Sequence, residues 1–177
     1  MTILVTGGAG FIGSNFILNC LKKYDEKFIN FDGLTYSGNL ENLKSVEKKS
    51  NYEFVKGDIG DSNLVADLLK KYQPRAIINF AAESHVDRSI YGPEDFMQTN
   101  IIGTYRLLEV TRLFFNSLNK EDQNYFRFLH VSTDEVYGSL SSDDPAFKEN
   151  NQYEPNSPYS ATKAASDHLV RAWHHTY

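Results

Sequence analysis

Two adjacent carboxylates, Asp134 and Glu135, directly follow Thr133 at the end of an apolar run. Further along, Tyr159 and Lys163 are four residues apart, a spacing that places both side chains on one face of a helix. An ammonium group near a phenol favours the phenolate, which can take a proton from an alcohol. These residue types therefore suit two linked reactions, the oxidation of an alcohol and the acid–base removal of water.

A glycine-rich turn near the start of the chain indicates a nucleotide cofactor. A short β-rich apolar run leads into a cluster of glycines. Gly7, Gly10 and Gly13 are three residues apart, and Gly8 with Gly10 and Gly13 gives a second spacing of two and then three residues. Either spacing allows a tight turn and a close approach of the backbone to a pyrophosphate. The helix predicted from Phe11 onward would offer its unpaired N–H groups to that anion.

Acidic residues end the next two predicted strands. Asp32 follows the strand of residues 28–31, where a carboxylate accepts hydrogen bonds from an adenosine ribose and repels a 2′-phosphate. This position favours NAD over NADP, unless Asp32 only caps a turn. Asp58 follows the third strand, and either meets the adenine amino group or serves as a turn residue before Gly60.

Strands and helices alternate along the chain. The strands are predicted at residues 3–6, 28–31, 52–55, 76–82 and 126–131, and the helices at residues 11–24, 62–72, 93–115 and from 158 onward, with polar loops after residue 115 and over 141–157. Such alternation predicts an α/β fold, a Rossmann-type doubly wound parallel sheet with helices on both faces.

Thr133 would lie at the carboxyl end of a central strand of this sheet, where ligands bind. Neighbouring residues on a strand point to opposite faces, so Asp134 and Glu135 could not both act on one molecule from a regular strand. We therefore expect the backbone to leave β geometry near Thr133.

Composition narrows the classes of partner. The 177 residues fit one compact domain, and a net charge of −5 gives no electrostatic basis for binding nucleic acid or an anionic membrane surface. No apolar stretch approaches the roughly 18 residues that span a bilayer. The single cysteine, Cys20, is predicted to be a buried hydrophobe in a reducing, cytoplasmic setting. No metal site is predicted, because the adjacent His174 and His175 point different ways on a helix.

Several longer strings carry a resemblance. They are residues 34–40 (LTYSGNL), 82–89 (AESHVDRS), 132–138 (STDEVYG) and 157–163 (SPYSATK). With the glycine turn and the segment 100–104 (NIIGT), they resemble the extended short-chain dehydrogenases that act on nucleotide sugars, and among these the dTDP-glucose 4,6-dehydratases. The resemblance runs over the whole sequence.

The resemblance implies a role for each residue of the chemical end. Thr133, Tyr159 and Lys163 match the residues that oxidise the sugar at C4 with NAD. Asp134 matches the acid that protonates the departing C6 hydroxyl, and Glu135 matches the base that removes the C5 proton. A hydride returned to C6 would then give a 4-keto-6-deoxy sugar nucleotide.

The resemblance and the glycine turn together define a predicted cofactor site. Its residues are Gly7, Gly10, Phe11, Ile12, Gly13, Asp32, Gly33, Leu34, Thr35, Asp58, Ile59, Phe80, Ala81, Ala82, Glu83, Ser84, Thr99, Tyr159 and Lys163. Ser84 and Thr133 are also predicted to contact the sugar. Gly33 departs from the resembled family, which often has lysine there.

Chains of the resembled family are about twice as long, and their second half includes a substrate-binding domain. The resemblance therefore implies that this sequence corresponds to the cofactor half, with weakened NAD affinity and no appreciable turnover alone. It also implies a homodimer that pairs through the helices after Pro93 and Pro158.

Two other functions remain open at this point. A sugar-nucleotide 4-epimerase would share the glycine turn, Tyr159 and Lys163, but has no use for Asp134 and Glu135. A non-catalytic NAD-binding module is the second alternative, and only the short length favours it.

Overall fold

A computed structural model describes residues 1–177. Five strands form one sheet: β1 (Thr2–Thr6), β2 (Lys27–Asp32), β3 (Tyr52–Lys56), β4 (Ala76–Asn79) and β5 (Arg127–His130). Their order is β3-β2-β1-β4-β5, and every neighbouring pair is parallel. The strand before Thr133, β5, was predicted to be central but lies at one edge of this sheet, because it pairs with β4 alone. The order reverses between β1 and β4, as a doubly wound sheet requires. The predicted fold class is confirmed, although β4 ends earlier than predicted.

The helices are α1 (Phe11–Lys23), α2 (Ser62–Tyr72), α3 (Val86–Tyr91), α4 (Glu94–Phe96), α5 (Thr104–Ser117), α6 (Lys120–Tyr125) and α7 (Pro158–Thr176). A π-helix, Met97–Gly103, joins α4 to α5, and 3₁₀ helices cover Leu40–Leu43 and Asp134–Tyr137. The prediction of an unbroken loop after residue 115 was wrong at α6, which the Asn119 side chain caps by accepting from the Asp122 N–H. None of the helices is both long and apolar enough for a membrane crossing.

The chain divides into two compact units. The first comprises Met1–Ala81 and Arg106–Val131, and the second comprises Ala82–Tyr105 and Ser132–Tyr177. The first unit contains the whole sheet with α1, α2 and most of α5. The second contains α3, α4, the 3₁₀ helix after β5, and α7.

The core of the first unit lies on both faces of the sheet. Along β1, Leu4 packs on one side, with Leu68 of α2 and Leu107 of α5. Val5 packs on the other side, with Ile17 of α1. Strands covered on both faces read as continuous apolar runs, which is why the sequence predicted them so clearly.

Cys20 agrees with its predicted structural role. Its side chain is half-buried and packs against the same core cluster as Ile17. Burial raises the pKa of the Cys20 thiol, which keeps it in the unreactive protonated form.

Candidate active site

The glycine turn follows β1 in the first unit. Gly7 has a φ of +66°, and a Cβ there would lie 2.6 Å from the Ala81 nitrogen. A Cβ on Gly13 would lie 2.8 Å from the Cα of Gly8. Both positions therefore require glycine, one for its backbone conformation and both for close backbone packing.

The start of α1 is suited to an anion. Its N-cap, Gly10, provides no side-chain hydrogen bond to the first turn. The nearest atom to a Cβ on Gly10 would be the Gly7 oxygen, 3.4 Å away, which is an ordinary van der Waals contact. Phe11 and Ile12 are 81% and 61% exposed in that first turn. Uncapped N–H groups beside a side-chain-free turn fit a dinucleotide pyrophosphate.

We predict that Gly7→Ala destabilises the first unit by roughly 2–4 kcal/mol, because it combines a strained positive φ with a backbone clash. Urea unfolding measures the change, and NAD⁺ affinity should fall with it. Gly33→Ala is the matched control, since its Cβ would meet no atom closer than 3.6 Å. Equal unfolding midpoints for the two variants would contradict this account of the turn.

Asp32 links β2 to the glycine turn. Its two carboxylate oxygens accept hydrogen bonds from the Ala9 N–H at 2.8 Å and the Leu34 N–H at 2.7 Å. Leu34, whose N–H makes the second of these bonds, has a φ of +52°, in the left-handed region. Asp32 therefore caps the turn, while its carboxylate retains further acceptor sites, so capping and a ribose contact are compatible. The ribose contact of Asp32 stays a prediction.

The other predicted cofactor residues of the first unit fall into three groups, one after each of the strands β3, β2 and β4. Asp58 accepts from the Gly60 N–H at 2.6 Å, which is its predicted alternative role as a turn residue, and Ile59 is buried in the core. Gly33 and Thr35 are exposed near the end of β2. Phe80 and Ala81 follow β4, where Phe80 donates its N–H to the Thr6 oxygen at 3.0 Å and Ala81 donates to the Thr6 hydroxyl at 3.3 Å.

The carboxylate pair lies in the second unit, just beyond β5. The strand ends at His130, Thr133 is still extended, and a 3₁₀ helix begins at Asp134. The Thr133 hydroxyl caps this helix by accepting from the Glu135 N–H at 3.2 Å. The expected departure from β geometry is confirmed, so Asp134 and Glu135 are not forced onto opposite faces.

Helix α7 begins where the sequence predicts. Ser157 and Ser160 form a reciprocal capping box around Pro158 at the first helical position. The next N–H, that of Tyr159, donates to the Ser89 hydroxyl of α3 at 3.1 Å. The Tyr159 ring is buried and meets Phe96 edge to face, with centroids 6.4 Å apart. These contacts fix the position of Tyr159 at the helix start.

Lys163 lies one turn after Tyr159 and is only 4% exposed. Burial lowers the pKa of its ammonium group to about 8, and the charge of Asp167 partly opposes that shift. Below that pH the ammonium remains charged on the same helix face as Tyr159. The group that should stabilise a phenolate is therefore present at neutral pH.

Asn100 was missed as a functional residue by the sequence analysis, which used it only as part of a motif. Its side chain is buried in the π-helix, accepts from the Glu83 N–H and donates to the Glu83 oxygen, both at 2.9 Å. It also donates to the Thr162 hydroxyl at 2.9 Å. The amide thus ties the predicted cofactor segment Ala82–Ser84 to α7. A lone Asn within a predicted amphipathic helix was the available signal.

We predict that Asn100→Ala lowers the free energy of unfolding by about 1–3 kcal/mol, because it leaves buried partners without hydrogen bonds. Denaturant unfolding gives the value. Asn124→Ala, at an exposed position in α6, is the control and should change stability by less than about 0.5 kcal/mol. Similar losses in the two variants would show that the hydrogen bonds of Asn100 do not contribute to the free energy of unfolding.

Comparison with known proteins adds to this geometry. The family model for GDP-mannose 4,6 dehydratase matches residues 4–177. The chain belongs to this family. Among curated members, it is 58% identical over 176 residues to the dTDP-glucose 4,6-dehydratase of Xanthomonas campestris pv. campestris, covering 99% of this chain and 50% of that protein. The Haemophilus influenzae dTDP-glucose 4,6-dehydratase is 54% identical over 177 residues, covering 100% and 52%.

Solved structures with a similar fold agree. The Streptomyces venezuelae dTDP-glucose 4,6-dehydratase with NAD and TYD bound has a TM-score of 0.88 at 46% identity, covering 100% of this chain and 52% of that one. The UDP-glucose 4-epimerase of Brucella ovis has a TM-score of 0.80 at 29% identity, covering 99% and 48%. The resemblance stated from motifs is confirmed, and the chain spans about half the length of the curated relatives it matches.

The predicted site residues are divided between the two units. Gly7 to Gly13, Asp32 to Thr35, Asp58, Ile59, Phe80 and Ala81 belong to the first; Ala82 to Ser84, Thr99, Thr133 to Glu135, Tyr159 and Lys163 belong to the second. The second unit thus contains all five predicted catalytic residues. Their roles, and the cofactor contacts, stay predictions.

Proposed function

We propose that this chain provides the NAD-binding and reacting groups of a 4,6-dehydratase that converts dTDP-glucose into dTDP-4-keto-6-deoxyglucose. The observation that carries the proposal is the 3₁₀ helix that begins at Asp134 immediately after Thr133. It frees both carboxylates from strand alternation in the unit that also contains Tyr159 and Lys163. The dTDP-glucose 4,6-dehydratase relatives support the choice of sugar nucleotide.

NAD is the proposed cofactor. The uncapped start of α1, the side-chain-free Gly10 at that start and the carboxylate of Asp32 suit its pyrophosphate and ribose. The Streptomyces venezuelae and Bacillus anthracis dTDP-glucose 4,6-dehydratases, both crystallised with NAD, support this assignment. When bound, the cofactor accepts a hydride from C4 of the sugar and returns it at C6.

The protein's own groups move the protons. Tyr159 takes the proton of the C4 hydroxyl, and the Lys163 ammonium favours the phenolate that does so. Once C4 is a ketone, the C5 proton is acidic and Glu135 can remove it. Asp134 gives a proton to the C6 hydroxyl, which leaves as water, and the proton taken by Glu135 returns to C5 when the hydride is returned at C6. An epimerase needs only the first of these steps, so the carboxylate pair favours the dehydratase.

The decisive experiment is incubation with NAD⁺ and dTDP-glucose, followed by mass spectrometry. The chain is tested alone and together with the part of the Xanthomonas campestris relative that it does not span. Loss of one water from the sugar nucleotide supports the dehydratase. A C4 epimer of unchanged mass would support the epimerase. NAD⁺ binding without any product in either mixture would support a non-catalytic module.

We also propose a homodimer that pairs through the helices formed by the segment after Pro93 and by α7. Three apolar or aromatic residues of the first segment, Met97, Ile102 and Tyr105, are exposed, and the Tyr105 ring meets Trp173 of α7 with centroids 5.8 Å apart. These exposed apolar and aromatic side chains form a surface that two copies of the chain could bury against each other. Light scattering should give twice the 20.2 kDa chain mass. A monomer at micromolar concentration would refute it.

The cytoplasm is the proposed compartment. A single cysteine, Cys20, leaves no pair for an internal disulfide, as is usual in reducing compartments. Cell fractionation with antibodies against the protein would test the location.

A further inference from the structure

The carboxylate of Asp167 lies at a junction that none of the assigned roles explains. Asp167 is on α7, one turn after Lys163, and is half-buried. We propose that Asp167 is a positioning residue that holds both ends of the segment Ser132–Tyr137 against α7, and thereby fixes Asp134 and Glu135. The catalytic consequence rests on the proposed dehydratase function, whereas the anchoring itself does not.

The first end of the segment is held directly. The Ser132 hydroxyl donates a hydrogen bond to Oδ2 of Asp167 across 35 positions of sequence. Ser132 immediately precedes Thr133, whose hydroxyl caps the 3₁₀ helix. A charged acceptor makes a stronger hydrogen bond than a neutral one, so this contact fixes the start of the turn.

The second end is held through Tyr153. Its hydroxyl donates to the same Oδ2 of Asp167 at 3.0 Å. The Tyr153 ring meets the ring of Tyr137, the last residue of the 3₁₀ helix, edge to face at 5.2 Å between centroids. The next residue, Glu154, donates its N–H to the Val136 oxygen at 3.0 Å. One carboxylate oxygen therefore accepts hydrogen bonds from Ser132, at the first end of the segment, and from Tyr153, which packs against its last residue. Asp134 and Glu135 lie between these two ends.

The electrostatics agree with this geometry. Burial, reinforced by the charge of Asp167, raises the pKa of Tyr153 to about 12. The Tyr153 hydroxyl therefore keeps its proton and remains a donor at any pH at which the protein would work. The Asp167 charge also opposes the effect of burial on the Lys163 ammonium. A neutral residue at position 167 would remove both effects.

The anchoring is tested first without any activity measurement. Hydrogen exchange of the peptide covering residues 132–138 is compared between the wild-type protein and Asp167→Ala. The Glu135 N–H donates a hydrogen bond to the Thr133 hydroxyl. Hydrogen exchange of this amide should accelerate at least tenfold in Asp167→Ala. Asp143→Ala, at an exposed aspartate in the same unit, is the control and should leave the exchange unchanged. Unaltered exchange in Asp167→Ala would overturn the proposal.

The catalytic consequence is tested with the dehydration assay, in the mixture in which the wild-type chain removes water. Asp167→Ala should lower kcat by roughly 10- to 100-fold, because small misplacements of reacting groups cost that much, with NAD⁺ affinity within about twofold. Ser132→Ala and Tyr153→Phe each cut one connection and should have smaller effects. Ser132→Ala should add nothing to Asp167→Ala, since the two share one interaction.

The outcomes separate the two proposals. A wild-type chain that removes no water, either alone or together with the part of the Xanthomonas campestris relative that it does not span, refutes the dehydratase function, while the exchange result still decides the anchoring. A wild-type protein that does remove water, with kcat unchanged in Asp167→Ala, overturns the positioning role. Full additivity of Ser132→Ala and Asp167→Ala would also overturn it, because Asp167 would then not act through Ser132.

Discussion

Replacing Glu135 with glutamine should stop the proposed reaction after the sugar has been oxidised at C4. Glutamine keeps the shape of the side chain but cannot take the C5 proton, so turnover should fall by about 10²- to 10⁴-fold. Tyr159 and Lys163 are unchanged, so NADH should accumulate on the protein. Its near-ultraviolet absorbance measures the amount formed. Solvent deuterium should not enter C5 of the bound sugar.

Asp134→Asn is the informative partner of that variant. It should lower turnover over a similar range, yet leave deuterium exchange at C5 intact, because Glu135 still removes the proton. Glu149→Gln, at an exposed position in the loop before α7, is the control and should retain full turnover. Identical exchange behaviour of the Glu135 and Asp134 variants would contradict the division of roles between base and acid.

Lys163→Met should change activity and stability in opposite directions. Without the ammonium, turnover should fall at least 10²-fold. The fold should nevertheless gain about 1–3 kcal/mol at pH 7, since methionine fills the buried site without a charge. Urea unfolding measures the gain, and Lys48→Met, at an exposed position, provides the control and should change stability little. A loss of stability in Lys163→Met would contradict a net cost for the buried ammonium.

The same lysine predicts two pH effects. Its pKa in the folded protein, about 8, is below the ordinary 10.5, so the folded state binds fewer protons than the unfolded state between these values. The cost of the buried charge is complete below pH 8 and disappears as pH rises from 8 to 10.5, so this group makes stability rise there. Turnover should fall above pH 8 as the ammonium loses its proton. Both trends should be absent in Lys163→Met.

Local patterns account for what the sequence predicted well. Helix α2 begins and ends at the predicted residues because a capping Asp61 precedes it and Pro74 follows it. Helix α7 begins at Pro158 for the same kind of reason. The departure from β geometry after Thr133 followed from a chemical requirement, that two neighbouring carboxylates reach one molecule.

Contacts between distant residues account for what the sequence did not predict. The bond between Ser132 and Asp167, and the buried amide of Asn100, leave no periodic signal in the chain. The short helix α3 was missed because six residues are too few for an apolar stripe to repeat. The core packing of the Ile59 side chain was also not predicted, while its cofactor contact stays a prediction. These contacts join residues that are distant in the sequence, so spacing alone could not predict them.

The cap on the 3₁₀ helix uses only part of the hydrogen-bonding capacity of the Thr133 hydroxyl. A threonine hydroxyl has one proton and two lone pairs, and the Glu135 N–H already occupies one lone pair. The hydroxyl proton and one lone pair therefore remain for a ligand, so Thr133 can bind a ligand oxygen without giving up its hold on the 3₁₀ helix. In the proposed dehydratase, the C4 oxygen could then keep its contact with Thr133 both as an alcohol and as a ketone, because both oxygens accept a hydrogen bond.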